Sequence, residues 1–164
     1  MEKEINNLPN TKLSKQLSGI AGEYYVAAEL SRRGYLAAIT LRNSEGVDIL
    51  VSNSKGNKLF SIQVKTTQNK KKWILSKKIE DEKAKNKFFV FVNIPENINL
   101  MPDYCIINSE KLSEKIYNGH RNWLNGLGIN GKIRNDSDVR QFDPKYFDKE
   151  DLLSWDGLIQ LINE

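Results

Sequence analysis

A four-residue polar loop, Ser54-Lys55-Gly56-Asn57, lies between two runs of alternating apolar residues and constrains this chain more than any other stretch. The runs, Val47 to Asn53 and Lys58 to Thr66, read as strands of one hairpin, and a loop of this kind sets their register. From an Asn53:Lys58 closing pair, Val51 falls opposite Phe60, Ile49 opposite Ile62 and Val47 opposite Val64, so one face is wholly apolar. On the other face Asp48 lies opposite Gln63, and Lys65 follows two residues along, pointing the same way. Such a face is either the wet side of a half-buried pair or a place where a cation and a phosphate meet.

The helix upstream bears on that choice. Leu13, Leu17, Ile20, Tyr24 and Ala27 recur at intervals of three and four and predict an inward stripe. Glu23 falls inside the stripe, and a carboxylate facing a core is costly unless a cation or donor satisfies it. Asp48, Gln63 and Glu23 are the candidate metal ligands, and Lys65 completes the candidate catalytic set.

The 164 residues suffice for one domain with a real core, and a hydrophobic fraction of 39% is ordinary for a soluble protein. The formal charge is +4, but Lys55, Lys58, Lys70, Lys71 and Lys72 gather around the hairpin and its exit, which favours a polyanion; a lysine run is more often a solvated face, and only its closeness to Asp48 moves that balance. Trp73 beside these lysines is a candidate to stack on a base, although an aromatic at a strand start is commonly core. Arg42 on the preceding turn is a further candidate for phosphate contact. Cys105 is the only cysteine, which excludes an intramolecular disulfide and a multi-cysteine zinc site and fits a reducing cytoplasm. No export signal or membrane-span-length apolar run is expected, so the expected location is cytoplasmic. His120, the only histidine, is left out of the site.

Along the chain, a helix is expected over about 12–33, ending at Gly34, then strands at 35–41, 47–53 and 58–66. Short strands follow at 73–75, 88–93 and 104–108, with a charged connector over 77–87. Ser109 is read as the N-cap of a helix over 109–117, residues 126–143 as loop, and Leu152 to Ile162 as a final helix. The predicted class is α/β, a mixed sheet flanked by helices. One domain is expected over 1–164, with a core at about 12–108 and a C-terminal helical extension at about 109–164.

Gly22-Glu23 in the first helix, Gly46-Val47-Asp48 opening a strand and Gln63-Val64-Lys65 on its partner resemble the PD-(D/E)XK phosphodiesterase superfamily over roughly Ser18 to Asn108. Val47 stands where the superfamily name has proline, and Gln63 where an acidic ligand is more usual. Nucleases similar to the methylated-DNA restriction family also use a Gln-x-Lys version, and the chain is similar to small bacterial members without established roles. The resemblance implies a restriction endonuclease-like core and a Mg²⁺- or Mn²⁺-dependent endonuclease acting on DNA in restriction or repair. It also implies that Glu23 completes the metal site or holds a metal-bound water. The alternative is a catalytically inactive nuclease fold that binds nucleic acid or a protein partner. A homodimer is compatible with either.

Overall fold

The computed structural model describes residues 12–41, 46–70 and 72–163. Helix α1 (Lys15–Ser31) opens at Ser14, whose hydroxyl accepts the Leu17 N–H, one of the donors a helix start leaves unpaired. Gly34, at φ +86°, then turns the chain into β1 (Leu36–Ile39). Strands β2 (Ile49–Ser52), β3 (Leu59–Gln68), β5 (Lys87–Ile94) and β6 (Asp103–Asn108) complete a five-stranded sheet in the order β1-β2-β3-β5-β6. Only the β3–β5 pair is parallel, so the sheet is mixed. Helix first, mixed sheet after, is the order the sequence predicted.

The hairpin register is the expected one. Val51 pairs with Phe60 and Ile49 with Ile62, and the Asn53 N–H donates to the Lys58 carbonyl at 3.3 Å to close the loop. With that register set, Phe60, Ile62 and Val64 go to one face, beneath Val26 and Leu30 of α1 and Leu158 and Ile162 of α3 (Trp155–Asn163). Strand β5 is buried on both sides: Phe88, Val90 and Val92 join this core, while Phe89 and Phe91 face a second one. The second core is roofed by α2 (Ser109–Asn125) and by a two-stranded antiparallel ribbon of β4 (Trp73–Ser76) and β7 (Val139–Phe142). Among the described residues no helix is long and apolar enough to cross a membrane.

Three expectations are corrected. The inward stripe of α1 is Ser18, Gly22, Val26 and Leu30, four apart, whereas Leu17 and Tyr24 are 56% and 65% exposed. The reason is closeness: a Cβ at Gly22 would lie 1.9 Å from Thr66 Oγ1, so the helix lies on β3 along its small residues and turns the bulky ones outward. The α2 N-cap is Asn108, whose side chain accepts the Glu110 N–H. Ser109 is unavailable because its buried hydroxyl accepts from Ala84 N–H at 2.9 Å and donates to the Ala84 carbonyl at 2.8 Å. The stretch 126–143 is not all loop, since its end is β7, a strand recognisable only by its partner β4.

Candidate active site

β2 leaves β3 at Asp48. The ladder ends at Ile49–Ile62; beyond it the Asp48 N–H donates to the Ile62 carbonyl at 2.9 Å, and the side chain takes over from the main chain. Asp48 Oδ2 accepts the Val64 N–H at 2.7 Å, occupying a donor that the departing strand would otherwise leave open. From the other side, the Thr40 N–H donates to the Asp48 carbonyl at 2.9 Å and the Thr40 hydroxyl to the Val47 carbonyl at 2.6 Å. Gly46, at φ +74°, starts this turn. The Val64 N–H belongs to the peptide that follows Gln63, so the Asp48 carboxylate sits beside Gln63 on the backbone.

Gln63 and Lys65 alternate with the core residues of β3 and so project from the opposite face. They open into a cavity of about 250 Å³ between β3, β4 and a 3₁₀ turn at Lys77–Asp81. Phe89 forms part of its lining, Ile74 and Ile79 are apolar wall residues, and Lys78 and Glu82 add charge. Glu82 is ion-paired to Lys87, a buried lysine whose Nζ lies 5.5 Å from the centre of the Phe89 ring. Gln63 and Lys65 themselves have no hydrogen-bond or ion-pair partner among the described residues.

Glu23 stands elsewhere. It is half-buried on α1, one residue beyond the Gly22–Thr66 contact, and α1 covers the face of β3 opposite to Gln63 and Lys65. Neither Glu23 nor Asp48 lines the cavity. Among the described residues no three His, Cys, Asp or Glu side chains form a group that could hold a metal ion.

No family model matches this chain, and no curated protein matches it. Among solved structures it is similar to Hjc, a Holliday junction resolvase from the archaeal hyperthermophile Archaeoglobus fulgidus, at 12% identity over 74% of this chain and 87% of that one, with a TM-score of 0.41. A likeness of that size says nothing about chemistry, which has to come from the residues of this chain.

The expected nucleic-acid contacts separate. Trp73 is not a stacking platform: it is 5% exposed, its Nε1–H donates to the Val92 carbonyl at 3.3 Å, and its ring packs edge-on to Phe91 at 5.4 Å. The large ring is consumed by the second core, where it anchors β4. Lys72 is exposed and pairs with Asp143 at 3.6 Å; Lys70 is exposed on the turn after β3, its N–H donating to Asn93 Oδ1 at 3.0 Å. Arg42 and Lys71 lie outside the described residues. Lys58 and Lys70 flank opposite ends of the 10-residue β3, about 33 Å of extended chain, so these two lysines do not share one patch.

Ile74, Lys78 and Glu82, which line the cavity with Gln63 and Lys65, were not among the sequence candidates. The outward alternation of Ile74 and Ser76 is visible in Trp73-Ile74-Leu75-Ser76, but the charged connector gave no sign that it folds over Gln63. His120, left out of the site, does have a role in the ribbon. Its Nε2 lies 2.8 Å from Asp136, which also pairs with Lys77 at 3.0 Å and with Arg140 at 3.3 Å. The His120 hydrogen bond first, then that of Lys77, hold the Asp136 carboxyl well below the usual range. Arg140, buried on β7, is also bound to Glu80 of the 3₁₀ turn, so the network ties that turn to the ribbon.

Proposed function

We propose that this protein is a metal-dependent DNA nuclease of the restriction or repair type, centred on Asp48, Gln63 and Lys65. The observation that carries the reading is that Gln63 and Lys65, without partners among the described residues, open into one cavity while Asp48 is fixed at the peptide between Gln63 and Val64. Gln63 and Lys65 are half-buried and turned to one cavity, where an amide oxygen and an ammonium can meet a ligand. The order of helix and mixed sheet supports the same reading.

The donors fit Mg²⁺ or Mn²⁺. Magnesium keeps several waters and needs only one or two carboxylates plus substrate phosphate. Asp48 spends one oxygen on Val64 and keeps the other, and Gln63 adds a neutral carbonyl oxygen. When bound, the metal supplies a lowered water pKa and a polarised P–O bond. Lys65 orients the attacking water and offsets charge growing on the phosphate.

Calorimetric titration with magnesium and manganese tests this. The wild type is expected to bind, Gln63→Ala to bind more weakly, and Gln63→Glu at least as tightly, because glutamate adds charge where glutamine offers only a dipole. A wild type silent to both ions and inert on every DNA offered would sink the nuclease reading. It would favour the second one, a binding protein on an inactive nuclease fold, to which the lack of a three-carboxylate group among the described residues points.

Binding to DNA is also expected to weaken with salt. Replacing Lys70 by alanine should flatten the slope of log affinity against log salt by about one, the share of one phosphate contact. Lys72→Ala should change it less, since Asp143 already holds that ammonium. Equal slopes for wild type and Lys70→Ala would return Lys70 to the solvated surface.

A further inference from the structure

We infer that the outer face of α2 enters the major groove of duplex DNA, where Asn118, Arg121 and Asn122 read base edges. This rests on the nucleic-acid reading above and adds the element that selects a sequence. The buried stripe of α2 is Ser109, Leu112, Ser113 and Ile116. At about 100° per residue, Asn118, Arg121, Asn122 and Asn125 fall on the opposite side, and all four are exposed. None of these side chains makes a hydrogen bond or ion pair among the described residues. Arg121 only stacks on the Tyr117 ring, at 5.2 Å, which leaves its N–H donors unspent. The cations of the first half of the helix are spent, since Lys111 and Lys115 pair with Asp151 at 3.4 and 2.8 Å.

Charge and chemistry together name the occupant. Residues 116–135 hold Arg121, Lys132 and Arg134 and no aspartate or glutamate, so this end of the molecule suits a polyanion. Amides and a guanidinium are the groups that match base edges, asparagine on adenine and arginine on guanine. A protein interface has an apolar centre and a bilayer surface takes an apolar helix face, and these four side chains supply neither. Double-stranded RNA is excluded by its deep, narrow major groove. In DNA that groove is roughly 12 Å wide and admits a helix about 10–12 Å across. From Asn118 to Asn125 the helix rises about 10 Å, the length of about three base-pair steps. Just beyond it, a hairpin with Leu127 bridged to Ile133 and the Gly128 N–H donating to the Lys132 carbonyl at 2.8 Å holds Lys132 exposed. That ammonium has no ion-pair partner among the described residues and supplies a phosphate contact, which positions the helix without reading sequence. α2 packs on the core that contains Phe89, which lies beside Gln63 in the β3–β5 register, so helix and proposed centre share one side of the sheet.

The experiment incubates the full chain, without divalent metal, with a pool of DNA duplexes of randomised centre and sequences what is bound. Cleavage of the same pool with magnesium or manganese is followed beside it. The wild type is expected to enrich one motif of about three to four base pairs and to bind it about tenfold or more tighter than a scrambled duplex. Arg121→Ala should relax one position of that motif, and Asn118→Ala or Asn122→Ala another. Lys132→Ala should keep the motif, weaken binding to every sequence alike and flatten the salt slope by about one. All four residues are exposed, so each variant should melt as the wild type does. Binding without enrichment, or a motif unchanged in the Arg121, Asn118 and Asn122 variants, overturns the assignment of α2, and cleavage then leaves the nuclease reading standing. A motif that depends on Arg121, without cleavage, does the reverse. Neither binding nor cleavage removes both, and capture by phosphatidylserine vesicles would then give this basic end of the molecule to a membrane surface.

Discussion

Asp48→Asn is expected to lose DNA cleavage by at least about a hundredfold while the protein stays folded. The asparagine carbonyl can still accept the Val64 N–H, so the bond that closes the splayed end of the hairpin survives. What it lacks is the negative charge that attracts a divalent ion, and removal of one electrostatic stabiliser at a reacting centre costs about 10²–10³ in rate. Asp48→Ala should lose activity and stability together, because it also leaves a β3 donor without an acceptor, a penalty of about 1–3 kcal/mol. Lys65→Ala should match Asp48→Asn in rate without the metal-binding defect, since it removes the group that positions water. Steady-state cleavage beside thermal melts separates these outcomes. An Asp48→Asn protein as active as the wild type would show that this carboxylate only caps the strand.

Gly22→Ala carries the largest expected effect on stability. The added methyl would meet Thr66 Oγ1 at 1.9 Å and the Thr66 Cβ and Cγ2 at 3.0 and 3.1 Å, so either the side chain or the helix must move. Overpacking of this kind costs about 1–3 kcal/mol, and each kcal/mol lowers the melting temperature of a chain this size by about 2–4 °C. Thr66→Ala alone should be nearly neutral, because the hydroxyl is buried without a hydrogen-bond partner. The double variant should recover part of the loss, a coupling that a thermal double-mutant cycle measures directly. Independent, additive losses would mean that the helix does not rest on Thr66.

The hairpin was legible because alternation and a short polar loop determine each other: once Asn53 and Lys58 close it, Ile49–Ile62 and Val51–Phe60 have no other arrangement. The α1 stripe was not legible, because hydrophobic periodicity weights Leu17 and Tyr24 above Ser18 and Gly22. The helix instead follows its small residues, whose value lies in the backbone approach they permit. The inference that Glu23 faces a core fell with that stripe. Trp73 was ambiguous in isolation, since a ring beside lysines suits a base and a core alike, and only its partners Phe91 and Phe142 decide. The cavity wall was invisible because it depends on pairing Trp73–Ser76 with Val139–Phe142, which no local pattern announces.

That distant pairing has a consequence for how the protein comes into being. Asp48, Gln63 and Lys65 can take their places once β5 has bonded to β3, but β4 has no strand beside it until Val139–Phe142 has been synthesised. A nascent chain halted at Asn125 would carry the whole proposed chemical centre and lack the strand that holds its wall. The wall beside the centre would thus be completed after the centre itself, and the last quarter of the chain would set the moment at which the two are joined.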